Sequence, residues 1–101
     1  MGSSTWGQMQ STPNTVTILN GSSNPAQPNA YSPSILTTQV GQTVVWFNGD
    51  SVYHTVTSIS QDFDSGIIMP GMQFVWTFND VSYNKYYCQL HPFMSGAIIV
   101  N

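Results

Sequence analysis

Apolar residues in this chain recur in short runs in which they alternate with polar or β-branched positions, a pattern typical of β-strands. In the first run Val16 and Ile18 fall on one face, and in the fifth Phe74, Trp76 and Phe78 do the same. The predicted strands cover residues 14–19, 35–40, 43–48, 54–58, 73–78, 83–88 and 96–100.

Turn signals separate these runs. Asn20-Gly21 and Gly41-Gln42 are predicted turns, and residues 22–34, rich in Pro, Asn and Ser, are predicted to form a surface loop. Residues 43–48 are the most continuously apolar and predict a central strand. No segment has a convincing helical period. Seven to eight strands at regular spacing predict an all-β fold, a Greek-key β-sandwich.

The length of 101 residues is enough for one domain with one core. We expect residues 1–13 to be disordered or derived from cloning, and residues 14–101 to form the single domain. No apolar run approaches the roughly 18 residues of a transmembrane helix, and the N-terminus lacks the pattern of a signal peptide. We therefore expect a soluble chain without a membrane segment.

Charged side chains are scarce. Lys85 is the only basic residue, and the four acids are Asp50, Asp62, Asp64 and Asp80. Binding to nucleic acid requires a basic face that neutralises phosphates, so this class of partner is excluded. A single cysteine permits no internal disulfide.

The chemistry of the chain is concentrated in residues 88–94, which contain its only cysteine, Cys88, together with His91 and Met94. His54, the other histidine, lies upstream at the start of a predicted strand. Thiolate, imidazole and thioether are soft or borderline ligands that suit copper, and two His, one Cys and a distant axial Met form the ligand set of blue-copper sites. We therefore predict a copper site at His54, Cys88, His91 and Met94.

Other interpretations of these residues stay open. Zinc also takes Cys and His ligands, although thioether suits it poorly. A nucleophilic Cys88–His91 pair would need an orienting carboxylate and oxyanion donors, which nothing in the sequence identifies. Taken alone, Cys88 is consistent with an ordinary buried thiol and His54 with a surface residue. Met94 is also consistent with a packing residue, in which case water or a small molecule could occupy the axial position.

Residues 41–101 resemble the cupredoxins, and the loop from Cys88 to Met94 most resembles that of amicyanin in the plastocyanin-like group. Matches also cover residues 41–48, His54 and the Phe-Asp-Ser-Gly segment at residues 63–66. The resemblance implies a cupredoxin fold and one type 1 copper ion per chain, cycling between Cu+ and Cu2+. It also implies that Cys88, His54 and His91 are equatorial ligands and Met94 the axial one.

The sequence departs from this family pattern at three positions next to predicted ligands. Tyr53 and Thr55 flank His54 where relatives usually have Pro and often Asn, and the Thr55 hydroxyl is predicted to tie the two ligand loops together. Leu90 stands where amicyanin has Pro, and so keeps a backbone N–H. If this N–H donates to the thiolate, it withdraws charge from sulfur, and Leu90→Pro should lower the reduction potential.

The resemblance implies an electron carrier rather than an enzyme, in an extracytoplasmic location that is periplasmic or at the cell surface. We expect a monomer whose transient redox protein partners dock on an apolar patch around His91. The docking patch is predicted to consist of Leu90, Pro92, Phe93, Met69 and Met72. Two other functions stay open: copper carriage or storage, and copper-dependent oxidation of a small molecule such as nitric oxide at an open axial position.

Overall fold

The computed structural model describes residues 14–101, so the expectation for residues 1–13 concerns a segment outside the described part. Within residues 14–101 the chain forms eight β-strands and no α-helix. In chain order they are β1 (Thr15–Ile18), β2 (Tyr31–Ser32), β3 (Ile35–Thr38), β4 (Thr43–Asn48), β5 (Thr57–Ser58), β6 (Gln73–Thr77), β7 (Ser82–Tyr87) and β8 (Ser95–Val100).

The strands form two four-stranded sheets, with the orders β2-β1-β4-β6 and β3-β8-β7-β5. Strand β1 runs parallel to β4 and β3 runs parallel to β8, whereas the other neighbours are antiparallel. Parallel neighbours far apart in sequence arise because the chain crosses between the sheets, as in Greek-key sandwiches. The predicted all-β sandwich is confirmed, and β4 has a neighbour on each side as expected of a central strand.

The core lies between the sheets and is centred on Trp46 of β4, which is fully buried. Val16 and Ile18 of β1 are buried on the face predicted from the alternation. Aromatic side chains contribute the largest buried areas per residue, and pairs at such separations add stabilisation beyond burial. Four rings have centroids 5.5–6.5 Å from that of Trp46: Phe63, Phe74, Phe78 and Tyr86.

The predicted surface loop at residues 22–34 is partly wrong, because Ser22 and Tyr31 are fully buried and Tyr31–Ser32 forms β2. The polar atoms of both side chains have buried partners. Ser22 Oγ donates to the carbonyl groups of Leu19 and Ala30, and the Tyr31 hydroxyl donates to the Thr55 carbonyl at 2.6 Å. Burial here depends on hydrogen bonds that composition does not reveal.

The predicted alternating strand at residues 54–58 is also wrong in part, since only Thr57–Ser58 pairs as a strand and all five residues are buried. His54 makes an isolated bridge to Ile68. Val56 accepts from the Ser65 amide at 2.9 Å and donates to Ser65 Oγ at 2.7 Å. The chain between β5 and β6 therefore covers this segment. It bonds to the segment through backbone and side-chain groups instead of the regular backbone hydrogen bonds of a strand pair.

No helix in the described residues has the length and apolarity needed to cross a membrane.

Candidate metal centre

Three potential metal ligands meet at one end of the sandwich: Cys88, His54 and His91. Their ligand atoms all lie within 4.8 Å of one another. The Cys88 sulfur is 3.6 Å from His54 Nδ1 and 3.7 Å from His91 Nδ1. Cys88 directly follows β7 and is buried on the same face as Tyr86, whereas Tyr87 is half-buried on the other face. Successive side chains of a strand point to opposite faces, so Cys88 shares the inward face of Tyr86.

The loop from Cys88 to Met94 is folded back on itself by three backbone hydrogen bonds. The His91 amide donates to the Cys88 carbonyl at 3.2 Å, and the Met94 amide donates to the His91 carbonyl at 2.9 Å. The Cys88 amide donates to the Met94 carbonyl at 3.2 Å and closes the loop. Met94 is buried, and its backbone bonds to Cys88 and His91 place it at the same end of the core as the other predicted ligands.

Thr55 connects the two ligand segments. Its hydroxyl accepts from the Gln89 amide at 2.8 Å, which is the tie predicted from the sequence. Its own amide donates to the Cys88 sulfur at 3.3 Å. Tyr53, on the other side of His54, has 52% of its surface exposed. Of the two residues that flank His54, Thr55 is therefore the one that connects the ligand loops.

The surroundings of Cys88 favour a thiolate. Burial alone raises the pKa of the thiol, but the His54 ring, the Thr55 amide, the His91 ring and the Leu90 amide together lower it to about 6. A depressed thiol pKa is characteristic of reactive or metal-binding cysteines. The chain thus presents an anionic sulfur beside two imidazole nitrogens.

Asp50 is not among the predicted site residues, although its carboxylate lies directly behind His54. Asp50 Oδ2 is 2.7 Å from His54 Nε2, and both side chains are buried. For His54, burial lowers the pKa, but hydrogen bonds to Cys88 and Asp50 outweigh it and raise the pKa. The only available signal was an aspartate four residues before the histidine in a chain with few charges.

The side chains predicted to form the docking patch are all exposed. Exposed fractions are 47% for Leu90, 50% for Phe93, 51% for Met69 and 54% for Met72. His91 is half-buried, and its ring centroid lies 6.1 Å from that of Phe93. His91 therefore belongs both to the group of metal-ligand atoms and to the exposed surface beside Phe93.

The donor set fits copper. One thiolate and two imidazoles are the ligands that copper shares with zinc, and a buried thioether beside them favours copper. His54 Nε2 is hydrogen-bonded to Asp50, so Nδ1, which faces the Cys88 sulfur, is the ring nitrogen available to bind a metal ion. Both buried ligands are held before any ion enters, because hydrogen bonds fix each of them.

Comparison with known proteins agrees with this geometry. The structure resembles a purple cupredoxin from Nitrosopumilus maritimus, with a TM-score of 0.81 and 35% identity over 86% of this chain and 98% of that protein. This chain belongs to the cupredoxin family. The prediction of a cupredoxin is therefore confirmed, and copper is the cofactor of its metal centre.

A curated relative of this cupredoxin is amicyanin from Paracoccus versutus, 36% identical over 75 residues. The match covers 69% of this chain and 57% of the length of that amicyanin. The Cu(I) form of an amicyanin mutant superposes with a TM-score of 0.74 at 22% identity, covering 93% of this chain and 87% of that structure, and supports the fold alone. No family model matches the sequence.

Proposed function

We propose that this cupredoxin is a type 1 copper protein that carries single electrons between redox partners. The observation that supports the proposal is the convergence of one cysteine sulfur and two histidine nitrogens within 4.8 Å in a chain of this family. Cys88, His54 and His91 are the proposed main ligands, with Met94 as the weaker axial one. When bound, copper supplies a site that alternates between two oxidation states.

The protein's own residues keep this site rigid and dry. Cys88 and His54 are fully buried, and Met94 is 1% exposed, so water is kept from these donors. Thr55 joins the two ligand segments, and the hydrogen bonds within residues 88–94 hold the loop in one conformation. Donors that are already in position need little rearrangement when the charge of the site changes, which favours rapid electron transfer.

Electrons are proposed to enter and leave through the His91 ring. This ring is half-buried beside Phe93, and the proposed docking patch consists of the exposed side chains of Leu90, Pro92, Phe93, Met69 and Met72. Exposed apolar patches on soluble proteins mark interaction sites more often than chance. The proposed partners are redox proteins that bind briefly to this patch, and the proposed location is extracytoplasmic.

Titration of the metal-free protein with Cu(II) tests the proposal. A thiolate ligand should produce an intense visible charge-transfer band and a copper paramagnetic resonance spectrum with a narrow parallel hyperfine splitting. Cys88→Ser should abolish the band, because the hydroxyl cannot replace the thiolate. Val81→Ser is the control, since Val81 is 74% exposed and belongs to no part of the site.

Two results would contradict the proposal. A wild-type protein that binds Cu(II) without the visible band would show that the sulfur is not a ligand. A protein that gains the band but cannot exchange electrons with its own reduced form would be a copper-binding protein and not a carrier.

A further inference from the structure

The carboxylate of Asp50 occupies the side of His54 that faces away from the sulfur. His54 Nε2 lies 2.7 Å from Asp50 Oδ2, and His54 Nδ1 lies 3.6 Å from the Cys88 sulfur. Only 2% of the Asp50 side chain and none of the His54 side chain is exposed. A neutral imidazole has one N–H and one lone pair, so a carboxylate at Nε2 selects the form in which Nδ1 carries the lone pair.

The two carboxylate oxygens of Asp50 have different partners. Oδ1 accepts from the backbone amides of Gly21 at 3.1 Å and Ser51 at 2.7 Å. Oδ2 is left for His54. The two backbone donors hold the carboxylate in one orientation, so it cannot rotate to present a different oxygen without losing a hydrogen bond.

The backbone of Asp50 is anchored as well. Its amide donates to Asn48 Oδ1 at 2.9 Å, and Asn48 is fully buried at the end of β4. The Asn48 side-chain amide donates to the carbonyl groups of Val52 and Ile68, each at 2.9 Å. Ile68 is in turn the bridge partner of His54. Strand β4 thus sets the positions of both the carboxylate and the imidazole.

The charge of Asp50 also bears on the metal centre. The chain has a single Lys or Arg, Lys85, which lies on the exposed side of β7. A cupric ion, the Cys88 thiolate and the Asp50 carboxylate together have no net charge, whereas the reduced site has one uncompensated negative charge. In a buried site an uncompensated charge is costly, so the carboxylate favours the oxidised ion.

We propose that Asp50 is a positioning residue of the copper site: it holds His54 with its proton on Nε2 and its Nδ1 turned to the metal, and its charge lowers the reduction potential. The inference rests on the proposed copper function. Carboxylate partners of metal-bound histidines act in this way in other metal sites. The competing explanation is that Asp50 only caps the turn through its bonds to Gly21 and Ser51.

Asp50→Asn distinguishes the two explanations. The Asn oxygen should stay at the Oδ1 position, where two backbone amides donate, and this places the amide NH2 toward His54 Nε2. Nε2 must then accept, so the proton moves to Nδ1 and the ring loses the lone pair that faces the metal. We expect a higher reduction potential and a Cu(II) affinity reduced by about 10- to 100-fold.

Asp62→Asn is the matched control, because it removes the same charge at an exposed site. There the Asp62 carboxylate accepts from Ser60 Oγ, and the Asp62 amide donates to Ser58 Oγ. This variant should leave the potential and the copper affinity unchanged. If Asp50 only caps the turn, the Asn oxygen keeps that cap, and Asp50→Asn should change neither the reduction potential nor the position of the proton on His54. An unchanged potential in that variant would therefore overturn the electrostatic part of the proposal.

The tautomer is read separately, from nitrogen NMR of the His54 ring in the metal-free protein at a pH where the ring is neutral. The wild type should carry the proton on Nε2 and Asp50→Asn on Nδ1. A proton on Nδ1 in the wild type overturns the proposal even if the variant does not fold. Because this measurement uses no metal, it is independent of the copper titration, whose failure would instead contradict the proposed function.

Discussion

Several groups at the residue scale act on the charge of the Cys88 sulfur. The Thr55 amide donates to it at 3.3 Å, and the rings of His54 and His91 lie on two sides of it. The Leu90 amide also lowers the pKa of the thiol, as the least of the contributions. Each N–H directed at the sulfur withdraws electron density from it and so disfavours the oxidised metal.

Leu90→Pro removes the backbone N–H of Leu90, which lowers the pKa of the thiol. We expect a lower reduction potential, by a modest amount because the stronger Thr55 donor remains. Voltammetry of the copper-loaded protein measures the reduction potential. Leu90→Ala is the control, because it shortens the same side chain but keeps the backbone N–H. An equal or higher potential in Leu90→Pro, or an equal fall in Leu90→Ala, would show that the Leu90 N–H does not set the potential.

The ligands could be identified from residue chemistry, whereas Asp50 could not. Cys88, His91 and Met94 are close in sequence, and the chain has only one other histidine. Asp50 acquires its role through amide donors from Gly21 and Ser51 and through its orientation toward His54, which are properties of the folded chain. No periodicity or spacing encodes them.

At the scale of the elements, β7 and β8 hold the ends of the ligand loop, and their contact is unusually close at one point. Gly96 of β8 pairs with Tyr86 of β7, and a Cβ at position 96 would lie 2.6 Å from Tyr86 Cζ. The Tyr86 ring cannot move away, because the rings of Tyr31 and Trp46 pack edge-on at 4.7 and 5.6 Å. The strand pair therefore requires glycine at this position.

Gly96→Ala should destabilise the metal-free protein by about 1–3 kcal/mol, the usual range for overpacking a core. Chemical denaturation measures the free energy of unfolding. Ser95→Ala, one residue earlier on the same strand and exposed, is the control and should change it by less than about 0.5 kcal/mol. A Gly96→Ala variant as stable as that control would mean that Tyr86 has room to move.

Most elements could be predicted because their apolar positions alternate. The exceptions have polar residues that are buried through specific partners. Tyr31 lies in a polar segment, yet its hydroxyl bonds to the Thr55 carbonyl. Residues 54–58 show a strand period, but the chain around Ser65 takes up the backbone groups of Val56 and only two residues pair as β5. In both cases tertiary contacts override the local pattern.

At the scale of the whole molecule, few charges are available to direct a partner. The formal net charge is −3, and none of the docking-patch residues is charged. Charge steering requires an extended field of one sign, which falls off with the Debye length of about 8 Å at physiological salt. Association at this surface should depend on shape and apolar contact.

Electron exchange between the oxidised and reduced forms of the protein tests this expectation. The rate should change little with ionic strength, and any change should be a slight rise as salt screens the repulsion between two weakly negative molecules. Phe93→Lys, which places a charge in the patch, should slow the exchange and make it sensitive to salt. A steep fall in the wild-type rate on adding salt would contradict an uncharged contact surface.

The arrangement of the second sheet has a consequence for how the holoprotein is assembled. Among residues 14–101, β3 pairs only with β8, so this sheet is complete only after the final strand has inserted between β3 and β7. His54 and Cys88 are 34 positions apart and meet only in the finished fold. Copper that reaches a chain not yet folded would meet Cys88 and His91 without His54 beside them. We therefore expect copper to find its full ligand set only once the sheet has formed.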